Sequence, residues 1–490
     1  MGSSDTLYIS KVDEVYIKIT CEPNVAQELC DFFTFYVPGY KFMPTYRSKM
    51  WDGKIRLYSI YDKLLYSGLL HYALTFAEKR SYHVIYLTKF DNEPVTISSD
   101  FIDPLQLQSN GKSLKVRDYQ LDALIYALSV KKSLLISPTA SGKSLIIYLI
   151  VRYLDTPSLI VVPTTSLVEQ MYKDFKDYSA ANGWFVDANC HRIYSGHEKN
   201  TDKPIVISTW QSIHRLKKPF FERFRLVVGD EAHGFKSKSL ISIMTKLVNA
   251  RYRVGTTGTL DGTQTHQLVL EGLFGPVQQV TTTKELMDTD ILAGLNVHCI
   301  VLKYSEQECK LVKRMDYKQE IDFLVGNTKR NQFITNMVSA LSGNTLVLYQ
   351  LVEKHGDILY RMMSEAFEDR IVRYIHGGVK TDVREQIREE AESNDNVVIV
   401  ASYGTYSTGV NIRNLNNVVF ASPSKSRIRN LQSIGRALRR TDKKLNASLF
   451  DIADDLTHKS YQNYTLKHLI ERIKIYNSEK FDYRMKKFSL

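Results

Sequence analysis

Two short stretches most constrain the fold of this chain: LLISPTASGKS at residues 134–144 and VVGDEAH at residues 227–233. In the first, an apolar strand runs into a loop of small residues that ends in Gly-Lys-Ser, a pattern typical of phosphate-binding loops. In the second, another apolar strand ends in two carboxylates, Asp230 and Glu231. This order predicts a doubly wound α/β sheet, which binds ligands at the carboxyl ends of its parallel strands.

The residue types at these positions suit nucleoside triphosphate hydrolysis with ATP and Mg²⁺. Lys143 supplies a charge for the β- and γ-phosphates, while the Ser144 hydroxyl and the Asp230 carboxylate can hold the metal. Glu231 is placed to orient or deprotonate the attacking water. Ser137 stands where the strict pattern has its first glycine. The prediction of a nucleotide site therefore depends on both motifs and their order along the chain, not on the first motif alone. The predicted phosphate-binding residues are Thr139, Ala140, Ser141, Gly142, Lys143 and Ser144.

Composition favours a polyanionic partner. Lysine and arginine outnumber aspartate and glutamate by 65 to 53. The surplus is clustered, which favours nucleic acid over the alternative that the charge serves solubility alone. The five cysteines form no C-x-x-C pair, so we expect reduced thiols and no cysteine metal site. We also expect no signal peptide, no membrane span and a cytoplasmic location.

The length of 490 residues suggests about three domains. We place a small α+β domain at residues 1–110, where alternation over 7–19 predicts a hairpin and residues 24–36 predict an amphipathic helix. Short apolar strands alternating with helices then predict one parallel-sheet lobe at 111–290 and a second at 291–490 with basic C-terminal helices. Only the first lobe has a phosphate loop, which suggests a nucleotide held between the two.

A basic and aromatic stretch, KFMPTYRSKMWDGKIRLY, lies at residues 41–58 of the first domain. Its cations could contact phosphates while its aromatic rings stack or wedge at a junction. The alternative is an ordinary hairpin whose aromatic side chains are core and whose cations are solvated. The candidate DNA-binding residues are Arg47, Lys49, Trp51, Lys54 and Arg56.

The second lobe contains QSIGRALRR at residues 432–440. On a helix Arg436 and Arg439 share a face, with Gln432 beside them, and the pair could act as arginine fingers on the γ-phosphate. The alternative is a basic surface helix. Gly435 favours the catalytic function, because glycine weakens an exposed helix unless another surface approaches closely.

These motifs, taken in order, resemble those of superfamily 2 helicases over residues 115–445. The motifs are RDYQ (117–120), SPTASGKS (137–144), VPTTSLVEQ (162–170), STWQS (208–212), DEAH (230–233), TGT (257–259), YIHGGV (374–379), YGTYSTGVNI (403–412) and QSIGRALRR (432–440). WDGKIRLY, VPTTSLVEQM, ASYGTYSTGV and EKFDYRMKKFSL are more narrowly similar to the recombination helicases of T-even phages. The resemblance implies two tandem RecA-like lobes behind the N-terminal domain.

The resemblance also implies roles for individual residues. Gln120 would read the adenine edge with Arg117 near it, and Gly409 would face the nucleotide from the second lobe. The residues implied in coupling hydrolysis to strand contact are His233, Thr257, Gly258 and Thr259. Those implied in the single-strand channel are Thr164, Thr165, Thr209, Trp210, His376, Gly377 and Thr408.

We therefore expect an ATP-dependent DNA helicase that moves 3′ to 5′ on branched DNA in phage recombination, replication and repair. The resemblance implies single-stranded and forked DNA, four-way junctions and R-loops as partners. We also expect a monomer on DNA, working in the bacterial host cytoplasm with phage recombination and single-strand-binding proteins. The alternatives are an RNA helicase or remodeller, the motor subunit of a restriction or nuclease assembly, and an annealing protein with a vestigial ATPase.

Overall fold

The computed structural model describes residues 6–90, 97, 99–405, 412, 414–422, 426, 430, 431, 433–435, 438 and 446–490. Their contacts divide the chain into two compact units. One comprises residues 1–137 with 142–280, and the other comprises 138–141 with 281–490. No described helix combines the length and the apolar character needed to cross a bilayer.

A small mixed sheet forms the N-terminal domain. Its strands are β1 (Thr6–Lys11), β2 (Tyr16–Thr20), β3 (Thr34–Tyr36), β4 (Lys54–Arg56), β5 (Tyr58–Ser59), β6 (Leu64–Tyr66) and β7 (His83–Tyr86), and its α-helices are Pro23–Phe32, Pro44–Arg47 and Leu70–Lys79. The five-stranded sheet has the order β5-β6-β2-β1-β7, and β3 pairs separately with β4. The antiparallel pairing of β1 with β2 confirms the predicted hairpin.

The predicted helix over residues 24–36 is too long at its C-terminal end. The helix ends at Phe32, and Thr34–Tyr36 is β3, which runs antiparallel to β4. The Thr34 hydroxyl donates to the Cys30 carbonyl at 2.6 Å and so satisfies one of the last carbonyls of the helix. A β-branched residue followed by two aromatic residues favours the strand that β4 then pairs.

The first RecA-like lobe is a parallel sheet covered on both faces. After the short pair β8 (Gln108–Ser109) and β9 (Lys112–Ser113), its strands are β10 (Lys132–Ile136), β11 (Ser158–Val162), β12 (Cys190–Ile193), β13 (Ile205–Thr209), β14 (Leu226–Asp230), β15 (Tyr252–Thr257) and β16 (Val277–Gln279). The order is β12-β13-β11-β14-β15-β10-β16, and every pair is parallel. Leu134 packs into one core and Leu135 into the other, which explains the continuous apolar strands.

Helices flank this sheet and connect its strands. The α-helices between residues 99 and 274 are Ser99–Ile102, Asp118–Val130, Lys143–Leu154, Thr165–Tyr178, Val186–Asn189, Trp210–Ile213, Lys218–Glu222, Lys238–Lys246 and Gln264–Phe274. The last of these also receives the N-terminal domain, because Gly68 packs directly on its backbone. Beside this contact, the Lys132 ammonium lies 3.2 Å from Glu14 and donates to the Ser67 hydroxyl at 2.9 Å. The N-terminal domain and the first lobe therefore share one apolar core.

Replacing Gly68 with alanine is expected to destabilise the protein by about 1–3 kcal/mol, the usual cost of overpacking a tight contact. A Cβ at Gly68 would stand 2.0 Å from the Glu271 carbonyl oxygen and 2.8 Å from that of Gly272, both backbone atoms. Urea denaturation measures the change. Gly326→Ala is the matched control, because a Cβ at Gly326 meets nothing within 4 Å. Equal denaturation midpoints for the two variants would contradict the packing described.

The second lobe is also a seven-stranded parallel sheet. Its strands are β17 (Gly294–Lys303), β18 (Thr345–Tyr349), β19 (Ile371–Ile375), β20 (Val397–Ser402), β21 (Asn417–Phe420), β22 (Asn446–Asp455) and β23 (Tyr483–Ser489), in the order β19-β20-β18-β21-β22-β17-β23. Its described α-helices are Thr283–Asp288, Glu306–Val312, Tyr317–Gly326, Thr328–Ser339, Asp357–Ala366, Thr381–Ser393 and Tyr464–Ser478. Together with the first lobe, this sheet confirms the predicted pair of RecA-like lobes.

The C-terminal end differs from the prediction of basic helices. One helix, Tyr464–Ser478, is present, and the chain then forms β23, which pairs in parallel with β17 at the edge of the sheet. Two buried ion pairs hold helices against β22. Arg472 of the helix Tyr464–Ser478 lies 2.8 Å from Asp451, and Arg330 of the helix Thr328–Ser339 lies 2.8 Å from Asp454. Each pair keeps a buried charge compensated, which a packed interior requires.

Candidate functional site

The phosphate loop follows β10 and leads into the helix Lys143–Leu154, as its motif predicts. Gly142, the N-cap, has a φ of +84°, which a glycine adopts without strain. A Cβ at Gly142 would stand 2.3 Å from Nε2 of Gln120, so this glycine also allows a close approach. Residues 138–141, which include Thr139, precede Gly142 in the chain. Ala140 has a φ of +67°. The Ser141 hydroxyl donates to the Pro138 carbonyl at 2.6 Å.

Lys143 extends its ammonium back across the start of the loop. Its Nζ donates to the Ser137 carbonyl at 3.1 Å and lies 3.8 Å from where a Cβ on Gly258 would stand. The positive charge is therefore held between the end of β10 and the segment after β15. This is the position from which a lysine can contact phosphates cradled by the loop.

Asp230 ends β14 and faces the same edge of the sheet. It pairs in register with Thr256 of β15, whose hydroxyl donates to its Oδ1 at 2.8 Å. Burial raises the pKa of the Asp230 carboxyl, and the charge of Glu231 raises it further, while Lys143 opposes both. A cation beside this carboxylate would therefore stabilise its charged form.

Of the residues predicted to couple hydrolysis to strand contact, His233, Thr257 and Thr259 are connected by hydrogen bonds, and Glu231 lies beside His233. Glu231 adopts a φ of +51°, which turns the chain sharply at the end of its strand. The His233 ring nitrogen Nδ1 lies 3.4 Å from Oε2 of Glu231 and 3.0 Å from the Thr257 hydroxyl. The Thr257 hydroxyl in turn donates to the Thr259 carbonyl at 3.2 Å. The Glu231 carboxylate and the segment TGT are thus connected through His233.

The residues present fit a magnesium ion. A hydroxyl from Ser144 and a buried carboxylate from Asp230 are hard oxygen ligands, the type that Mg²⁺ prefers. Among the described residues, no three His, Cys, Asp or Glu side chains come together as a metal-binding group. Few protein ligands are typical of a magnesium ion that is bound through one or two carboxylates and the phosphates of its substrate.

Gln120 lies beside Gly142 and takes part in a capping box. Its Oε1 accepts a hydrogen bond from the Arg117 backbone N–H at 3.0 Å at the start of the helix Asp118–Val130, and it is 3% exposed. The Arg117 guanidinium donates to the Tyr119 hydroxyl at 2.9 Å. The structure thus places Gln120 beside Gly142, and its contact with adenine stays a prediction.

The predicted strand-contact residues of the first lobe share the other half of this edge. Val162 at the end of β11 pairs with Thr209 at the end of β13, so Thr164, Thr165 and Trp210 follow two neighbouring strands. Thr164 is the N-cap of the helix Thr165–Tyr178 and accepts from Leu167 N–H. The Thr209 hydroxyl is 2.9 Å from Ser212, and Trp210 begins its own short helix. Hydroxyls and helix N-termini at one edge suit phosphate contact.

In the second lobe, His376 and Gly377 follow β19 at the carboxyl end of that strand. The His376 ring accepts from the Gly378 N–H at 3.1 Å and packs on Tyr374. The guanidinium of Arg384 donates to the carbonyls of His376 and Gly377, which fixes the backbone of this turn.

The basic stretch of the N-terminal domain is not a simple hairpin. Between β3 and β4 it forms a short 3₁₀ turn, Tyr40–Phe42, and the helix Pro44–Arg47. Tyr36 stacks on Tyr40, and Tyr46 packs edge-on against Tyr40, with ring centroids 4.7 Å apart in both pairs. Gly53 sits against the Tyr40 ring, where a Cβ would come within 2.3 Å.

The cations of this stretch are not equivalent. Arg47 and Lys49 are exposed beside a groove of about 600 Å³, which Trp51 also lines. Lys54 lies 5.1 Å from the centre of the Tyr36 ring, and Trp51 Nε1 donates to the Lys54 carbonyl. Arg56 pairs with Asp52 at 2.5 Å, so its charge is already compensated.

Five predicted site residues fall outside the described part of the chain: Thr408, Gly409, Gln432, Arg436 and Arg439. Their roles stay predictions from sequence. The motifs did not indicate Thr256, whose hydroxyl holds Asp230, although its place one residue before TGT at the end of an apolar strand could have suggested it.

Three family models and several known proteins match this chain. The family described as "DNA helicase UvsW, N-terminal" matches residues 8–87, "Type III restriction enzyme, res subunit" matches 113–262, and "Helicase conserved C-terminal domain" matches 328–441. The chain is 34% identical over 502 residues to the ATP-dependent DNA helicase uvsW of Enterobacteria phage T4, with 98% of each chain covered. It is 21% identical over 393 residues to the DNA 3'-5' translocase XPB2 of Sulfurisphaera tokodaii, covering 72% of this chain and 85% of that protein.

Solved structures agree with these matches. The crystal structure of T4 UvsW is similar with a TM-score of 0.51 and 33% identity over 99% of both chains. A putative HsdR subunit of a type I restriction enzyme from Vibrio vulnificus shares the fold with a TM-score of 0.58 at 20% identity, covering 80% of this chain and 72% of that one.

Proposed function

The chain belongs to the UvsW family of ATP-dependent DNA helicases, and on that basis we propose that it uses ATP hydrolysis to move along one strand of branched DNA. Forks, four-way junctions and R-loops are the proposed substrates, in phage recombination, replication and repair. The observation that carries the proposal is the meeting of Lys143, Asp230 and Glu231 at one sheet edge that also carries the predicted strand contacts.

Hydrolysis begins when the loop amides and the Lys143 ammonium bind the triphosphate. Ser144 and Asp230 would hold Mg²⁺, which supplies positive charge to the phosphate oxygens when bound. Glu231 orients the attacking water and takes its proton as the bond from the water oxygen to the γ-phosphorus forms and the bond from that phosphorus to the bridging oxygen breaks, which releases ADP and phosphate. Arg436 and Arg439 are expected from sequence to stabilise the charge that develops on that phosphate, with Gln432 beside them.

Coupling to the strand runs through the turn after β14. His233 contacts both the Glu231 carboxylate and the Thr257 hydroxyl, so a change at the water-orienting carboxylate reaches TGT directly. The strand itself is held at Thr164, Thr209 and Trp210 by hydroxyl and amide groups, which contact phosphates without reading sequence. Because this grip is independent of sequence, the protein can step along any DNA.

We further propose three functional domains at residues 1–110, 111–290 and 291–490, with the first binding duplex or junction DNA. The protein would act as a monomer that travels 3′ to 5′ in the bacterial host cytoplasm, alongside phage recombination and single-strand-binding proteins. The exposed Arg47 and Lys49 beside the Trp51 groove support the role of the first domain.

Replacing Arg47 and Lys49 together with glutamine is expected to weaken binding to forked DNA and to reduce the slope of log K against log salt by about 2, since each phosphate contact contributes about 0.9. Fluorescence anisotropy at several salt concentrations measures the slope. Arg56→Gln is the matched control, and a smaller change is expected because Asp52 already compensates its charge. A slope that is the same for the double variant and the wild type would exclude this surface from DNA contact.

The helicase proposal is tested by comparing ATP hydrolysis with forked DNA, structured RNA and no nucleic acid. Strong stimulation by forked DNA and little by RNA is the expected result. Preferential stimulation by RNA would instead support an RNA remodeller. Plasmid DNA incubated with ATP and Mg²⁺ in the same series should stay uncut, and cleavage would support the motor of a nuclease assembly.

A further inference from the structure

The hydroxyl of Ser144 has a partner that its motif does not indicate. Its Oγ lies 2.9 Å from the hydroxyl of Tyr178, 34 residues further along the chain. Tyr178 is the last residue of the helix Thr165–Tyr178, so a second helix of the lobe reaches the first turn of the phosphate-loop helix. A proposed metal ligand is thus contacted by a residue outside every phosphate-site motif.

Tyr178 is held firmly in this position. Its side chain is only 9% exposed, and its ring packs edge-on against Tyr148 with centroids 5.5 Å apart. Tyr148 belongs to the phosphate-loop helix itself and is also buried. A phenol oxygen can accept a hydrogen bond as well as donate one, so Tyr178 can serve as the acceptor in this contact.

We propose that Tyr178 is a positioning residue that orients the Ser144 hydroxyl toward the metal. A serine hydroxyl has one hydrogen and two lone pairs, and it binds a cation through a lone pair. The hydrogen must then point elsewhere. Donation from Ser144 Oγ to the Tyr178 oxygen directs the hydrogen away from the metal and leaves a lone pair free for it. The proposal rests on the proposed ATP site and adds a residue to it.

The helix that carries Tyr178 gives this contact a defined geometry. Thr164, a predicted strand contact, is its N-cap, and its 14 residues from Thr165 to Tyr178 span about 21 Å at the usual rise. One rigid element therefore has the predicted strand contact at its first end and the partner of the metal ligand at its last.

Tyr178→Phe tests the proposal, because it keeps the ring against Tyr148 and removes only the hydroxyl. Calorimetric titration with ADP, once with Mg²⁺ and once with EDTA, gives the factor by which the metal tightens nucleotide binding. We expect that factor to fall about three- to tenfold in Tyr178→Phe, the range of one hydrogen bond. The ADP affinity in EDTA should not change, which separates metal positioning from a general structural effect.

Tyr172→Phe is the matched control. Tyr172 lies on the same helix and its hydroxyl donates to Asp187, away from the loop. This variant should keep both affinities. In a Ser144→Ala background, the Tyr178→Phe substitution should have no further effect on the metal factor, because the group it positions is gone.

The results separate a failure of the proposed metal site from a failure of the positioning role of Tyr178. If Mg²⁺ does not tighten ADP binding to the wild type, the proposed metal site itself is wrong. If the wild type shows the effect and Tyr178→Phe keeps it, only the positioning role is overturned. The role is also overturned if Tyr178→Phe weakens ADP binding equally with and without the metal, or if Tyr172→Phe produces the same loss.

Discussion

Replacing Lys143 with alanine is expected to lower DNA-stimulated ATP hydrolysis by about 10²- to 10³-fold, the usual cost of losing one electrostatic contact to a transition state. The Lys143 ammonium is held between the Ser137 carbonyl and the Gly258 backbone, at the mouth of the phosphate loop. Without it, the charge that builds up on the β- and γ-phosphates loses a fixed cation. Steady-state phosphate release with saturating forked DNA measures the loss.

DNA affinity should stay largely intact, because Lys143 belongs to the phosphate loop and not to the predicted strand contacts. Lys176→Ala is the matched control, since Lys176 lies in the same lobe and pairs with Asp187 at the surface. Such surface pairs contribute less than about 1 kcal/mol, so that variant should hydrolyse ATP normally. Retained DNA-stimulated hydrolysis in Lys143→Ala would contradict the assignment of the nucleotide site.

Replacing Glu231 with glutamine is expected to slow hydrolysis by about 10²- to 10⁴-fold, the usual contribution of a general base. Glutamine keeps the size of the side chain and its reach toward His233 but cannot take a proton from water. Binding of ATP should survive, because Lys143, Ser144 and Asp230 are unchanged. The variant should therefore hold ATP and DNA together, which single-turnover hydrolysis and DNA binding with ATP can measure.

Glu222→Gln is the control for this substitution. Glu222 is 42% exposed and lies 3.7 Å from Lys218 on the surface of the same lobe, so its replacement should leave turnover unchanged. Hydrolysis by Glu231→Gln within tenfold of the wild type would show that another group activates the water. The contact of Glu231 with His233 would then be structural only.

Apolar runs predicted the central strands of both lobes well. Strands such as β11 and β18 are buried on both faces, and continuous apolar sequence is what such strands require. Three edge strands, β12, β16 and β23, lack such runs and carry polar residues. β12 reads CHRI, β16 reads VQQ, and the seven residues of β23 are all exposed and include three cations. In amino-acid composition these three segments therefore resemble loops or helices.

The N-terminal domain shows a second reason for error. The helix pattern over residues 24–36 continues past Phe32, and only the pairing of β3 with β4, about 20 residues away, ends it. The same pairing brings Arg56 next to Asp52, which a charge count cannot reveal. Tyr58, one of the interleaved aromatic residues, is buried and donates to the Ile19 carbonyl, so it belongs to the core.

The candidate nucleotide site could be predicted where its residues are adjacent in a motif. Lys143 and Asp230 lie as expected because strand order alone places them at one edge. Thr256 and Tyr178 were missed, since each is identified only by a contact between segments more than 20 residues apart. Such partners depend on which side chains the packing brings together, and the periodicity of the sequence does not show these contacts.

The most direct test of the account is branch migration of a synthetic four-way junction with a homologous, mobile core. The wild-type protein with ATP should convert the junction into two separate duplexes, and the products should be absent without ATP and with Lys143→Ala. A junction that the wild type binds and leaves unchanged, while it hydrolyses ATP, would contradict the claim that this protein turns hydrolysis into movement of branched DNA.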